Sequence, residues 1–209
     1  MTDRAERFVV SAIALSLPLA GTVVALVTHR RTFVYSTAKT VEGVVFELLA
    51  LFIGWRILRA RGWTSHPFRL HFDWTKLTAG FLCAPGYLLL TYAVYSLGSR
   101  FVPGSQLFVK HAAPTWLTLG FFVLNSYFEE SFASAYLIES FERTGNRHPL
   151  TWAAAIRASY HLYQGPLGAI SIFFLGLAFG AIYRRTRDMT LPFIAHTAIN
   201  TMVLALSGG

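Results

Sequence analysis

The sequence has 209 residues, of which 54% are hydrophobic and only 13% charged. A soluble domain carries about twice that charged share, so the composition excludes a soluble globular protein, a disordered tail, a collagen and a coiled coil. The net charge of +8 is no sign of nucleic acid, because the Lys and Arg residues cluster just outside apolar runs and no basic stripe accompanies a binding motif. The single cysteine, Cys83, excludes a disulfide framework and a thiolate metal cluster.

Seven apolar segments follow in chain order, at about 8–28, 41–58, 77–97, 115–138, 150–165, 167–183 and 190–206. They are continuous runs, not alternating ten-residue strands, so they predict helices and not a barrel. The expected fold is all-α, a polytopic membrane helix bundle of about seven transmembrane helices forming one integral membrane domain over 1–209. A spanning helix needs about 20 apolar residues, so the last three segments are short. Short polar-bearing segments are expected to line the protein interior.

The first segment follows Arg4 and Arg7 and so resembles a signal peptide. Its length, with Pro18 and Gly21 inside it, favours a retained helix. The stretch 62–76 mixes Trp63, Phe68, Phe72 and Trp74 with Arg69 and Lys76. It is expected to lie against lipid headgroups, with His66 and His71 exposed and without a catalytic role. With the N terminus inside, one side holds Arg4, Arg7, Arg56, Arg59, Arg61, Arg69, Lys76, Arg143, Arg147, Arg184, Arg185 and Arg187. The other holds Arg30, Arg31, Lys39, Arg100 and Lys110, which is twelve against five. That bias sets the N terminus inside and the C terminus outside.

Ionisable groups inside a bilayer cost at least ~2.5 kcal/mol each at a helix centre, and persist where they pair or work. The fourth segment carries Glu129 and Glu130 side by side. Neighbouring helical residues point about 100° apart, so the two are not expected to face one point. Either one acts on a water while the other braces it, or both are structural and tied to arginine. In the fifth segment Arg157, His161 and Gln164 stand at i, i+4 and i+7, one face of a helix. Arg157 is the natural partner for a glutamate, and His161 is either a hydrogen-bonded core histidine or a catalyst. His196 and Asn200 share a face of the seventh segment. Together they donate two hydrogen bonds to an oxyanion, or else glue helices. Gly176 and Gly180 form a Gly-x-x-x-Gly spacing that predicts close helix packing. Glu42 reads as interfacial, and Glu47 as a deeper structural residue with no evident partner. Two carboxylates, two histidines and one carboxamide on three helices are the parts amide hydrolysis needs.

In that order these residues resemble the CPBP family, which contains the type II CAAX prenyl endopeptidases and the bacteriocin-processing or immunity proteases called Abi. The family's motifs are Glu-Glu-x-x-x-Arg, Phe-x-x-x-His and His-x-x-x-Asn/Asp. They align with Glu129-Glu130 and Ser134, with Arg157 to His161, and with His196 to Asn200. The phrase His161-Leu162-Tyr163-Gln164-Gly165 is similar to one common in bacterial members. The resemblance covers about 115–206. It departs from the pattern at Ser134, where the motif has arginine, and at Arg157, where it has phenylalanine. If the two helices are neighbours, Arg157 supplies the charge that Ser134 lacks.

The resemblance implies an intramembrane endopeptidase, glutamic-type or metalloprotease, in a bacterial cytoplasmic membrane. Glu129 would be the general base and His161 would orient the water. His196 and Asn200 would form the oxyanion hole, and Glu130 would brace the site through Arg157. No cofactor is expected; were zinc present, Glu129, His161 and His196 would hold it. The implied partners are the lipid bilayer and a membrane protein or peptide substrate. The alternatives are a catalytically silent relative acting as scaffold or immunity protein, and a small transporter or proton channel.

Overall fold

A computed structural model describes residues 1–28, 32–102, 108–111, 113 and 115–207. Every apolar segment contains an α-helix. The helices are α1 (Asp3–Val27), α2 (Thr37–Ala60), α3 (Trp74–Gly98), α4 (Thr115–Glu129), α5 (Leu137–Arg143), α6 (Pro149–Ser159), α7 (Gly165–Thr186) and α8 (Thr190–Ser207). A π-helical stretch, Glu130–Tyr136, joins α4 to α5, so 115–143 is one continuous helix. The result is an all-α bundle. Among the described residues its only β structure is a short parallel ladder between β1 (Thr32–Tyr35) and β2 (Phe108–His111). α1, α3 and the stretch Leu162–Thr186 are each long and apolar enough to cross a membrane.

Local chemistry sets the ends. Side-chain oxygens of Thr2, Ser36 and Asp73 accept from the backbone amides of Ala5, Lys39 and Lys76, which caps α1, α2 and α3. The fifth segment differs from the sequence expectation. α6 stops at Ser159, and Tyr160 to Gln164 form a turn and a short 3₁₀ helix, so Arg157, His161 and Gln164 do not share one helix face. The cause is Gly165-Pro166. Gly165 takes φ 84°, open to glycine alone at low cost, and Pro166 suits the first turn of α7. The chain therefore reverses here, and α6 lies back along α7.

Two cores hold the bundle. One gathers Trp63, Phe128, Phe132, Tyr136 and Ile138 with Val10 and Ala14 of α1. The other packs Ala84 of α3 against Leu175, Phe179, Ala195 and Ile199. Trp63 is buried in the first core and donates from Nε1 to Glu6 at 3.1 Å. It does not lie against headgroups as its connector suggested, because a buried indole N–H needs an acceptor and Glu6 supplies it. Phe72, Trp74, His66 and His71 are exposed.

Ion pairs collect at one end of the bundle. Arg61 bonds Glu6 and Asp3, Arg184 and Arg187 bond Glu142, Arg187 also bonds Glu139, and Lys76 bonds Asp188. Arg61, Lys76, Arg184 and Arg187 are among the residues that the charge count put on one side. Burial alone would raise the Asp188 carboxyl, but hydrogen bonds from Lys76 and Thr190 hold it below the ordinary aspartate value.

Gly176 and Gly180 face α6 and α5. A Cβ on Gly176 would stand 3.1 Å from the Ala154 backbone and 3.4 Å from Cδ of Arg157; on Gly180 it would meet Leu150 and Ile138. Gly176→Val is expected to cost about 1–3 kcal/mol by overpacking and to lower the thermal unfolding midpoint in nanodiscs. An unchanged midpoint would mean that α6 yields freely.

Candidate active site

Glu129 and Glu130 sit where α4 gives way to the π-helical stretch. A π turn has more residues per turn than an α turn, so neighbouring side chains diverge less. Both carboxylates reach one guanidinium: Arg157 Nη2 is 2.7 Å from Glu130 Oε1 and 3.5 Å from Glu129 Oε2. The expectation that they cannot converge fails, because the local turn is not α-helical and the side chains are long.

Glu130 is wholly buried and saturated. Its Oε1 accepts from Arg157 Nη2, and His196 Nδ1 lies 2.9 Å away. Its Oε2 accepts from the Ser134 hydroxyl. Arg157 Nη2 is also 3.1 Å from His196 Nδ1. Since Nη2 is always a donor, both groups are best satisfied by donating to the shared carboxylate oxygen. The serine in place of the motif arginine thus bonds the same glutamate that Arg157 pairs, from the opposite side. Arg157 is 1% exposed, and its Nε and Nη1 have no hydrogen-bond partner among the described residues. Phe179 covers the guanidinium at 5.5 Å.

Glu129 differs. It lines a cavity of about 380 Å³ between α1, α2 and α4. Ala14, Pro18, Phe46, Phe128 and Phe132 form apolar walls, while Glu47, Asn125, Tyr160 and His161 bring polar groups beside Glu129. Exposed Lys39 and Glu42, paired at 2.7 Å, mark the rim. Tyr160 donates to Glu129 Oε2 at 3.2 Å and Asn125 to Oε1 at 3.4 Å. His161 Nε2 stands 3.9 Å from Oε1, beyond a direct hydrogen bond. Its Nδ1 is 3.0 Å from the Arg157 carbonyl. A carbonyl only accepts, so Nδ1 carries hydrogen and the neutral ring presents Nε2 as an acceptor.

The geometry brings together Glu129, Glu130, Arg157, His161 and His196. Asn200, one turn beyond His196, is half-buried and has no described side-chain hydrogen bond to this cluster. Among the described residues, no three His, Cys, Asp or Glu side chains stand together as a metal would need. With His196 Nδ1 engaged with Glu130 and His161 Nδ1 with a backbone carbonyl, the Nε2 atoms of the two rings, together with Glu129, are the donors that would hold zinc.

Residues 111–202 match the family described as type II CAAX prenyl endopeptidase Rce1-like. The match spans 92 of the 209 residues, and over that segment the chain is similar to the CPBP family. That segment contains Glu129, Glu130, Ser134, Arg157, His161, His196 and Asn200; its likeness to a protease family and the three helices long and apolar enough to cross a membrane suggest an integral membrane protein. No curated protein and no solved structure matches the chain to a significant degree.

Three polar groups of the site were not singled out for it from sequence. Neither Tyr160 nor Asn125 belongs to a motif. Glu47 had no evident partner, yet it accepts from Asn125 at 2.7 Å. Glu47 belongs to α2, outside the CPBP match. A second cavity, about 430 Å³, lies beside Trp55, Phe68 and Tyr127; Arg69 is the one charged residue among its described walls.

Proposed function

We propose that this protein is an intramembrane endopeptidase that hydrolyses a peptide bond of a membrane-associated protein or peptide. The observation that carries the reading is the division of labour between adjacent glutamates: Glu129 opens on the cavity beside His161, and Glu130 is sealed behind it. A water between Glu129 and His161 would donate one hydrogen to each. Glu129 then takes the water's proton as its oxygen attacks the scissile carbonyl carbon. The oxyanion is held by His196 and Asn200. With His196 Nδ1 turned to Glu130, its Nε2 is the ring atom left to face the oxyanion. As the C–N bond breaks, Glu129 returns its proton to the leaving amine. Glu130, Arg157 and Ser134 hold the helix carrying Glu129 in place.

The reaction needs no metal in this reading. Peptides reconstituted with the protein in nanodiscs are expected to be cut equally with and without a zinc chelator, and not by Glu129→Gln. Loss of cleavage on chelation, restored by zinc, would contradict it. The phrase similar to one in bacterial members supports reading the location as a bacterial cytoplasmic membrane. The cationic end, with Arg61, Arg184 and Arg187, is then inside together with the N terminus.

A further inference from the structure

Glu47 is 4% exposed, and its Oε1 accepts from Asn125 Nδ2 at 2.7 Å. Its Oε2 is buried with no hydrogen-bond partner among the described residues, and the residue lines the same cavity as Glu129. A carboxylate in apolar surroundings persists when it is paired, and an unpaired buried polar atom is costly. The nearby cations are committed elsewhere. Arg157 serves Glu130 and Glu129, and Lys39 serves Glu42 at the exposed rim. The described cluster thus sets three carboxylates, Glu47, Glu129 and Glu130, against one guanidinium.

We propose that Glu47 forms a cation subsite in this cavity, taking the ammonium or guanidinium of a substrate Lys or Arg side chain on its free carboxylate oxygen. The Asn125 amide group connects the two positions: it donates to Glu47 at 2.7 Å and to Glu129 Oε1 at 3.4 Å. A cation at Glu47 therefore lies one carboxamide away from the proposed base. The apolar walls suit the methylene stem of a long basic side chain. The inference rests on the proposed function only in taking the cavity to be the substrate's.

Binding is tested apart from cleavage. The protein in nanodiscs is titrated with decylammonium and with decanol while thermal unfolding is followed. Decylammonium is expected to raise the wild-type midpoint more than decanol does. The difference disappears in Glu47→Gln and is retained in Glu47→Asp, which keeps the charge. Equal effects of the two probes on the wild type, or a difference that survives in Glu47→Gln, overturns the inference. In a cleavage arm, a Lys-bearing peptide is compared with its norleucine twin. The wild type is expected to prefer the Lys peptide about tenfold in kcat/KM, a ratio worth about 1.4 kcal/mol, and the ratio falls towards one in Glu47→Gln. A ratio unchanged by Glu47→Gln overturns the subsite and leaves the hydrolase standing. Absence of any Glu129-dependent cleavage counts against the hydrolase alone, and the binding arm then decides the subsite.

Discussion

Arg157→Met is expected to destabilise the bundle by about 3–5 kcal/mol, the cost of leaving a buried charge without its partner. The guanidinium is 1% exposed and lies 2.7 Å from Glu130 and 3.5 Å from Glu129. Methionine replaces its stem but leaves two adjacent carboxylates in an apolar interior. Ser134 still bonds Glu130, but a neutral hydroxyl does not balance the charge. The measurement is the unfolding midpoint in nanodiscs, with far-ultraviolet circular dichroism to confirm helix content. The family's own pattern offers a rescue. Ser134→Arg with Arg157→Phe moves the cation back to the position one turn beyond Glu130. That double variant is expected to be more stable than Arg157→Phe alone, because residues sharing one network do not act additively. Equal stability of the two would mean that Arg157 is not the charge partner of this site.

Glu129→Gln should abolish cleavage while sparing the fold. A positioned general base contributes about 10²–10⁴-fold, and an amide cannot take the proton of the attacking water. The substitution is nearly isosteric. Glutamine keeps an oxygen to accept from Tyr160, and the cavity side of the residue tolerates water. Glu130→Gln should do the reverse in emphasis. It strips the carboxylate that Arg157, His196 and Ser134 all approach, so stability falls first and activity follows. Measuring kcat/KM and the unfolding midpoint on both variants separates the two roles. Glu130→Gln losing activity with no loss of stability, and Glu129→Gln the opposite, would exchange the assignments.

Much of this was legible in the sequence because membrane burial makes polar residues conspicuous. Glu129, Glu130, Arg157, His161 and His196 stood out within apolar runs, and the bundle gathers them. Gly176 and Gly180 announced a close helix approach, which Ala154 and Leu150 supply. The reversal at 160–165 was hidden by the apolar run continuing through Leu162. Its signal was Gly165-Pro166, a pair in which glycine permits a positive φ and proline suits the first turn of the next helix. The π turn after Glu129 has no such marker, so the convergence of both glutamates on Arg157 follows only from tertiary packing. Glu47 and Asn125 are 78 residues apart, a pairing that the sequence pattern alone does not reveal.

The central claim is that Glu129 makes this a protease. It is tested most directly by comparing the N termini of membrane proteins in cells producing the wild type and cells producing Glu129→Gln at equal levels. The account predicts termini present only with the wild type, and those termini name the substrates. Identical sets of termini in the two cell populations would contradict it, and would point to a chain that binds membrane proteins without cutting them.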